Sequence, residues 1–229
     1  FLIVPAFEKS NPRRGALIQG IGRSNFVLFG IPLAEQIANG GNMAVASLLV
    51  AVVVPMFNIL AVVTLEVFRG GKVHFGKVLK GIATNPLILS SLLGIVFLFT
   101  GWKLPRVIET PLFDLSKIAT PLALFLLGGS LEFSRVGRNL RALLWSVSGR
   151  LVFVPLVFVS AAIALGTRGI ALLSLMIVFA APTAVTSYTM AQQMGADDEL
   201  AGQQVVFTTA FSVLTIFLWV FALKTLGLI

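Results

Sequence analysis

The sequence predicts an all-α protein embedded in a membrane, and three observations carry that reading. Of the 229 residues 57% are hydrophobic and 11% charged, whereas soluble domains hold about 45–50% apolar and about 25% charged residues. The apolar residues are gathered into runs that reach the about 20 residues a bilayer-spanning helix needs. The net charge of +8 sits mainly in the loops between those runs, where it orients a membrane protein rather than marking a nucleic-acid binder. The chain has no cysteine, which excludes a disulfide framework, a thiolate nucleophile and a cysteine metal site.

Taken in order, residues 1–7 form a short apolar tail and "EKSNPRR" a loop. Residues 15–38 follow, interrupted by Arg23, Ser24, Asn25, Gly30 and Pro32. The turn "NGGN" leads into the span 43–67, and the basic loop "RGGKVHFGKVLK" into 81–100, where Asn85 is either a further polar candidate or, with Pro86, the mark of a helix start. After "GWKLPRVIET" comes 112–131, with Asp114 and Lys117 one helical turn apart. The basic segment "EFSRVGRNLR" precedes 140–165, which holds Arg150. The tight "GTR" turn precedes 169–193, and 199–226 ends the series. These are seven spans and a fragment. Ten basic residues lie at 9–14, 69–80 and 135–141 on one side, against Lys103, Arg106, Arg168 and Lys224 on the other. The excess places the first side in the cytoplasm.

Two runs are irregular in the same manner. "NFVLFGIPLAEQIANGGNMAVASLL" and "LMIVFAAPTAVTSYTMAQQMGADDELAG" each place a proline within a short apolar helix, then turn into a long uninterrupted one. Pro32 and Pro182 stand 150 positions apart. The expected organisation is therefore two inverted repeats. Residues 1–72 carry the tail of span 3, a broken span 4 and span 5, and residues 73–229 carry spans 6–10 with span 9 broken. On this count the first copy lacks its opening spans, roughly 70–80 residues of a ten-span protein. Matched, proline-interrupted segments are the strongest sequence pointer to a transporter binding site.

The segments "RSNFVLFGIPLA", "NPLILSSLLGI", "TPLALFLLGGSL" and "AAPTAVTSYTMAQQMGADDELAGQQVVFTT" occur in this order across nearly the whole chain. Together they resemble the auxin efflux carrier family, particularly its bacterial members. The resemblance implies ten spans in two inverted repeats, with crossing broken helices four and nine. It implies secondary transport of organic anions, auxin in plants and dicarboxylates such as malate or malonate in bacterial relatives. It also implies a multi-pass place in the plasma membrane, the inner membrane of a bacterium. Plant members carry an Asn just before the first crossover proline, where this chain has Gly30-Ile31 and Asn25 lies further upstream.

A proline inside a helix removes one backbone donor and frees a carbonyl, which hydrocarbon does not tolerate unless protein or a watery cavity faces it. Thr183, Thr186 and Ser187 are placed to bond the freed groups or to face a substrate. The candidate substrate-binding residues are Asn25, Gly30, Pro32, Pro182, Thr183, Thr186 and Ser187, joined by Gln204 and Thr208. The last two open a stripe with Ser212 and Thr215, which either lines a cavity or glues helices together. Asp197, Asp198 and Glu199 stand where they cap the last span. Arg23 either draws an anion to the crossover or snorkels to the cytoplasmic face, and Arg150 is expected to pair with a carboxylate or carbonyls. Asn58 is a further polar candidate, Glu35 a proton carrier or a capping residue, and His74 a solvated loop residue.

There is no metal-binding pair, Ser/His/Asp arrangement or phosphate loop in the pattern, so the sequence points away from an enzyme and calls for no cofactor. The expected partners are a small organic anion, a coupling proton or sodium ion, the lipid bilayer and a second copy in a homodimer. A sensor or scaffold that retains a transporter-like fold is the competing class.

Overall fold

The computed structural model describes residues 1–30, 32, 36–37, 44–69, 75–84, 86–130 and 135–229, and these are helical throughout apart from turns and one isolated β-bridge. A single turn at Val4–Phe7 precedes α1 (Asn11–Gly22), an extended segment and a π-helical turn at Phe26–Gly30. Then come α2 (Ala44–Val67), α3 (Phe75–Thr84), α4 (Pro86–Thr100) and α5 (Arg106–Ser130). The helix α6 (Val136–Ala164) contains a second π-helical turn at Gly149–Phe153. It is followed by α7 (Gly169–Ala180), α8 (Thr186–Met194) and α9 (Asp198–Thr225). Asn85, His74 and Glu35 lie outside the described residues, as do Ile31 and 33–35 around Pro32.

Three helices among the described residues are long and apolar enough to cross a membrane: Leu48–Val67, Val136–Ala164 and Asp198–Thr225, with mean hydropathies of 2.6, 2.0 and 2.2. Their outer faces are apolar and exposed, as with Phe211, Leu214, Phe217 and Phe221 on α9. Faces of this size mark contact with lipid or protein, not water. The helix α5 has the length but carries Arg106, Glu109, Asp114 and Lys117. The ion pair of Asp114 with Lys117 is exposed.

Charged residues gather at one end of the bundle. Arg13 at the start of α1 donates to Asn139 Oδ1 of α6 at 2.8 Å and pairs with Asp197 at 3.3 Å. Asn139, buried, donates to Gln203 of α9, and Arg138 pairs with Glu199 at 3.0 Å. Asp197 caps α9 by accepting from the Leu200 N–H at 2.8 Å. Asp197 and Asp198 therefore accept from first-turn amides of that helix, as their position implied, while Glu199 is held by Arg135 and Arg138, and the starts of α1, α6 and α9 share one end. At the opposite end the Gly169 N–H opening α7 donates to Leu228 O beyond α9.

These two anchorages fix the directions of the short helices. Each of α1 and α7 is 12 residues long, about 18 Å of rise. They start at opposite ends of the bundle and run toward each other, so both stop inside it. From there α8 runs on to the charged end, closed by Gly195 in the left-handed conformation (φ 72°) that a residue without Cβ adopts freely.

Candidate functional site

The two stopping points meet. Ser24 and Thr183 form an antiparallel β-bridge, in which the Asn25 N–H donates to Pro182 O at 2.8 Å and the Ala184 N–H to Arg23 O at 3.3 Å. Helix α8 packs against α1, and the π-helical turn Phe26–Gly30 packs against α7. Two interrupted helices thus cross at their breaks. The second break falls where Pro182 places it. The first falls at Arg23–Asn25, several residues before Gly30–Pro32, where the proline pattern puts it. The reason is local: Arg23 is already extended (φ −94°, ψ 122°), and the N–H of Asn25 is committed across the bridge instead of to α1.

Each break orphans carbonyls, and the partners they find define the site. Pro182 has no N–H to offer Val178 O, four residues back. That oxygen accepts from Arg150 Nη2 at 2.9 Å. Ala181 O accepts from Arg150 Nε at 2.8 Å. Ile21 O, whose helical donor would have been Asn25, accepts from Arg150 Nη1 at 3.3 Å. Gly20 O accepts from Thr183 Oγ1 at 2.7 Å, and the Thr183 N–H donates to Thr208 Oγ1 at 3.1 Å. One guanidinium, 1% exposed, therefore caps the C-terminal ends of both α1 and α7. Those ends carry about −0.5 charge each, which a single arginine offsets. Arg150 pairs with carbonyls, one of the two partners its position in the span allowed. The π-helical turn at Gly149–Phe153 seats it, with Gly149 lying against the Ile21 side chain.

The polar side chains left over are buried and unsatisfied. The amide of Gln204 (0% exposed) has no partner on either atom and lies so close to Gly20 that a Cβ there would meet Gln204 Oε1 at 1.9 Å. Ser187 Oγ, Ser24 Oγ, Asn25 Nδ2 and Gln19 Oε1 are likewise buried without partners. Gln19 Nε2 donates to Ser187 O at 3.4 Å. Buried groups left unpaired are uncommon in native proteins, and each calls for an explanation. Arg23, also buried, donates to Asn58 Oδ1 and to Met190 Sδ, so it stays inside rather than snorkelling. Beside it, a cavity of about 290 Å³ opens between α1 and α2, lined by Gln19, Arg23, Phe57, Leu60 and Thr64 among others.

Of the residues singled out in the sequence, the crossing brings together Asn25, Pro182, Thr183, Ser187, Gln204 and Thr208. Thr186 opens α8 with its side chain exposed. Gly30 is buried against Ile177 of α7, and Pro32 is exposed. In the outer half of the α9 stripe, Ser212 and Thr215 bond back to their own helix. Sequence reasoning missed Gln19, noted Ser24 only as an interruption of its run, and gave Arg150 no place at the crossing. A polar triplet inside an apolar run, "RSN", was the available signal for Ser24.

Two hydroxyls at the crossing separate structural from chemical roles. Thr183→Val removes the donor to Gly20 O and should cost about 1–3 kcal/mol of stability. Ser187→Ala removes an unpartnered hydroxyl, so its melting midpoint in detergent should match that of the wild type while transport falls. Thermal melts and uptake assays on the two variants check this.

In chemical terms the crossing holds two buried arginines and the N-terminus of α8, which carries about +0.5 charge, and no carboxylate is ion-paired to either arginine among the described residues. Such an arrangement attracts anions. No solved structure matches the chain. A Rhizobium meliloti (strain 1021) protein named "Putative malonate transporter" is 29% identical over 139 residues, which is 60% of this chain and 43% of that relative, so the match spans less than half the relative's length. Residues 1–220 match the family described as membrane transport protein. With that match covering nearly the whole described length, the chain is a multi-pass membrane protein belonging to the membrane transport protein family, that of the auxin efflux carriers.

Proposed function

We propose that the protein is a secondary active transporter that moves a small organic anion across the membrane by alternating access, with the crossing of the two broken helices as its substrate site. The observation that carries this reading is the bridge between Ser24 and Thr183, where buried unpartnered donors surround a locally positive point inside the bundle. Helix interruptions of this kind are tolerated in a membrane where they line a cavity. Asn25, Ser187 and Gln204 contact the substrate, Thr183 and Thr208 hold the backbone around it, and Gly30 lets the first broken helix approach α7.

Residues 1–72 and 73–229 belong to two inverted repeats on this reading. The charged end, with Arg13, Arg138 and Glu199, faces the cytoplasm, in a bacterial inner membrane. A dicarboxylate such as malonate or malate is favoured by the name of the Rhizobium meliloti relative, with an auxin-like acid as the other substrate in the class. A proton or sodium gradient drives the cycle.

Uptake of labelled malonate, malate and indole acetate into proteoliposomes holding the purified protein, under imposed proton and sodium gradients, tests the reading. Saturable, gradient-dependent accumulation of one of these acids is expected. Binding without accumulation under any gradient would instead assign the protein to the sensor class.

A further inference from the structure

We infer that the outer face of the first turns of α6, around Arg141 and Trp145, is a docking site for an anionic phospholipid. The headgroup phosphate sits on Arg141, and an acyl chain runs along the helix below it. The inference needs only that the protein lies in a bilayer, so its failure leaves the transport reading untouched. Helix α6 is 29 residues long, about 43 Å at 1.5 Å per residue. A bilayer measures about 40–45 Å with its headgroup layers included. A helix of this length reaches from one headgroup layer to the other, so its first two turns, at the charged end, lie at the level of the lipid phosphates.

Those turns divide by face. Asn139, Ala142, Leu143 and Ser146 are buried against the bundle. Gly137, Arg138, Leu140, Arg141, Leu144 and Trp145 are exposed. Arg141 has Gly137 one turn before it and Leu144 and Trp145 one turn after it on the same face. The neighbouring arginines are engaged: Arg13 pairs with Glu8 and Asp197, and Arg135 and Arg138 share Glu199. Arg141 is paired with no carboxylate among the described residues. Its planar fork of donors matches a phosphate. A Cβ at Gly137 would meet nothing within 4 Å, which leaves the space beside Arg141 open to a headgroup. Three arginines against one glutamate make the patch positive, so a lipid that brings its own ammonium group is disfavoured relative to an anionic one.

The apolar half of the site lies below. Trp145 is 44% exposed, and its ring stacks on Phe7 with 5.1 Å between centroids. Tryptophan is enriched at this level of a membrane, where an amphipathic ring meets headgroups and chains. Exposed apolar side chains continue at Val152, Phe153 and Leu156, and from Trp145 to Leu156 the helix offers about 16 Å to an acyl chain. Phe7 ends the turn that leads into α1, so the site borders the entry to the first broken helix.

Fluorescence quenching of the purified protein in vesicles tests this. The chain has three tryptophans, and Trp145→Phe, which keeps a ring on Phe7, gives the share of Trp145 by difference. The vesicles are phosphatidylcholine doped with brominated phosphatidylglycerol or with brominated phosphatidylcholine. Phosphatidylglycerol should bind beside Trp145 about fivefold more tightly than phosphatidylcholine, the worth of one arginine at a membrane surface. Arg141→Gln, at an exposed and unpaired position, should fold as the wild type does and bring the ratio to about one. Arg141→Lys should keep most of the preference, and Arg168→Gln, exposed at the opposite end, should leave it unchanged. Excess glycerol phosphate should not displace the brominated lipid. Equal quenching of the wild type by the two lipids, a preference retained in Arg141→Gln, an equal loss in Arg168→Gln, or displacement by glycerol phosphate, the mark of a site for a soluble phosphate, each overturn the proposal.

Discussion

Arg150→Leu should lower the stability of the protein by about 3 kcal/mol or more and abolish transport. Val178 O, Ala181 O and Ile21 O lose their donors together, and each buried orphan costs about 1–3 kcal/mol. In a protein of this size that is a fall of roughly 6–12 °C in the melting midpoint. Arg150→Lys should recover part of the loss, because an ammonium places its donors at one point, whereas the guanidinium fork reaches the ends of two helices at once. Full wild-type stability in Arg150→Leu would mean that the crossing satisfies its carbonyls by another route. Melting curves in detergent, paired with uptake by the same preparations, distinguish these outcomes.

Gly30→Ala should be the second severe change, at about 1–3 kcal/mol. A Cβ at Gly30 would lie 2.0 Å from Ile177 Cγ2 and 3.3 Å from Phe26 Cβ. The methyl it meets is fixed on a β-branched side chain with little rotamer freedom, and Ile177 is 4% exposed in the core that Phe26 and Met176 share. Ile177→Leu moves the branch one carbon further out and should cost less than about 1.5 kcal/mol alone. Combined with Gly30→Ala it should restore most of the lost stability. If the double variant is no better than Gly30→Ala alone, the clash is not the cause. The double-mutant cycle is read from chemical or thermal unfolding of the four proteins.

How much of this was legible in the sequence differs between the two breaks. At the second, Pro182 announces itself, since no other residue removes a donor from a helix, but the group that repairs the gap is Arg150, and the nearest hydroxyl, Thr183, serves Gly20 O at the other break. At the first, Pro32 was the conspicuous residue, yet the helix had already stopped at Gly22. There the break has no proline. It is set by a pairing with residues about 160 positions away, and local pattern carries no trace of such a partner. Arg150 shows the same limit. A charge in an apolar run can be flagged from sequence, but its partners are three backbone carbonyls, which every residue possesses. Asn25 was legible as a polar residue in a span. Its place directly on the bridge was not, because the spacing to Pro32 drew the site downstream. The capping role of Asp197 and Asp198 was readable, since a cap is a local interaction between neighbours in sequence, whereas the pairing of Glu199 with Arg135 and Arg138 was not.

The most direct test of the central claim, that the substrate sits where the two breaks cross, uses the absence of cysteine from the chain. Ser187→Cys places a single thiol at the crossing, and Gly137→Cys places a control near the start of α6 at the charged end. The rate of modification by a small methanethiosulfonate is measured in proteoliposomes with and without malonate. Malonate is expected to slow modification at residue 187 in a saturable manner and to leave residue 137 unchanged. Identical rates at residue 187 with and without malonate, in a protein that transports malonate, would contradict it.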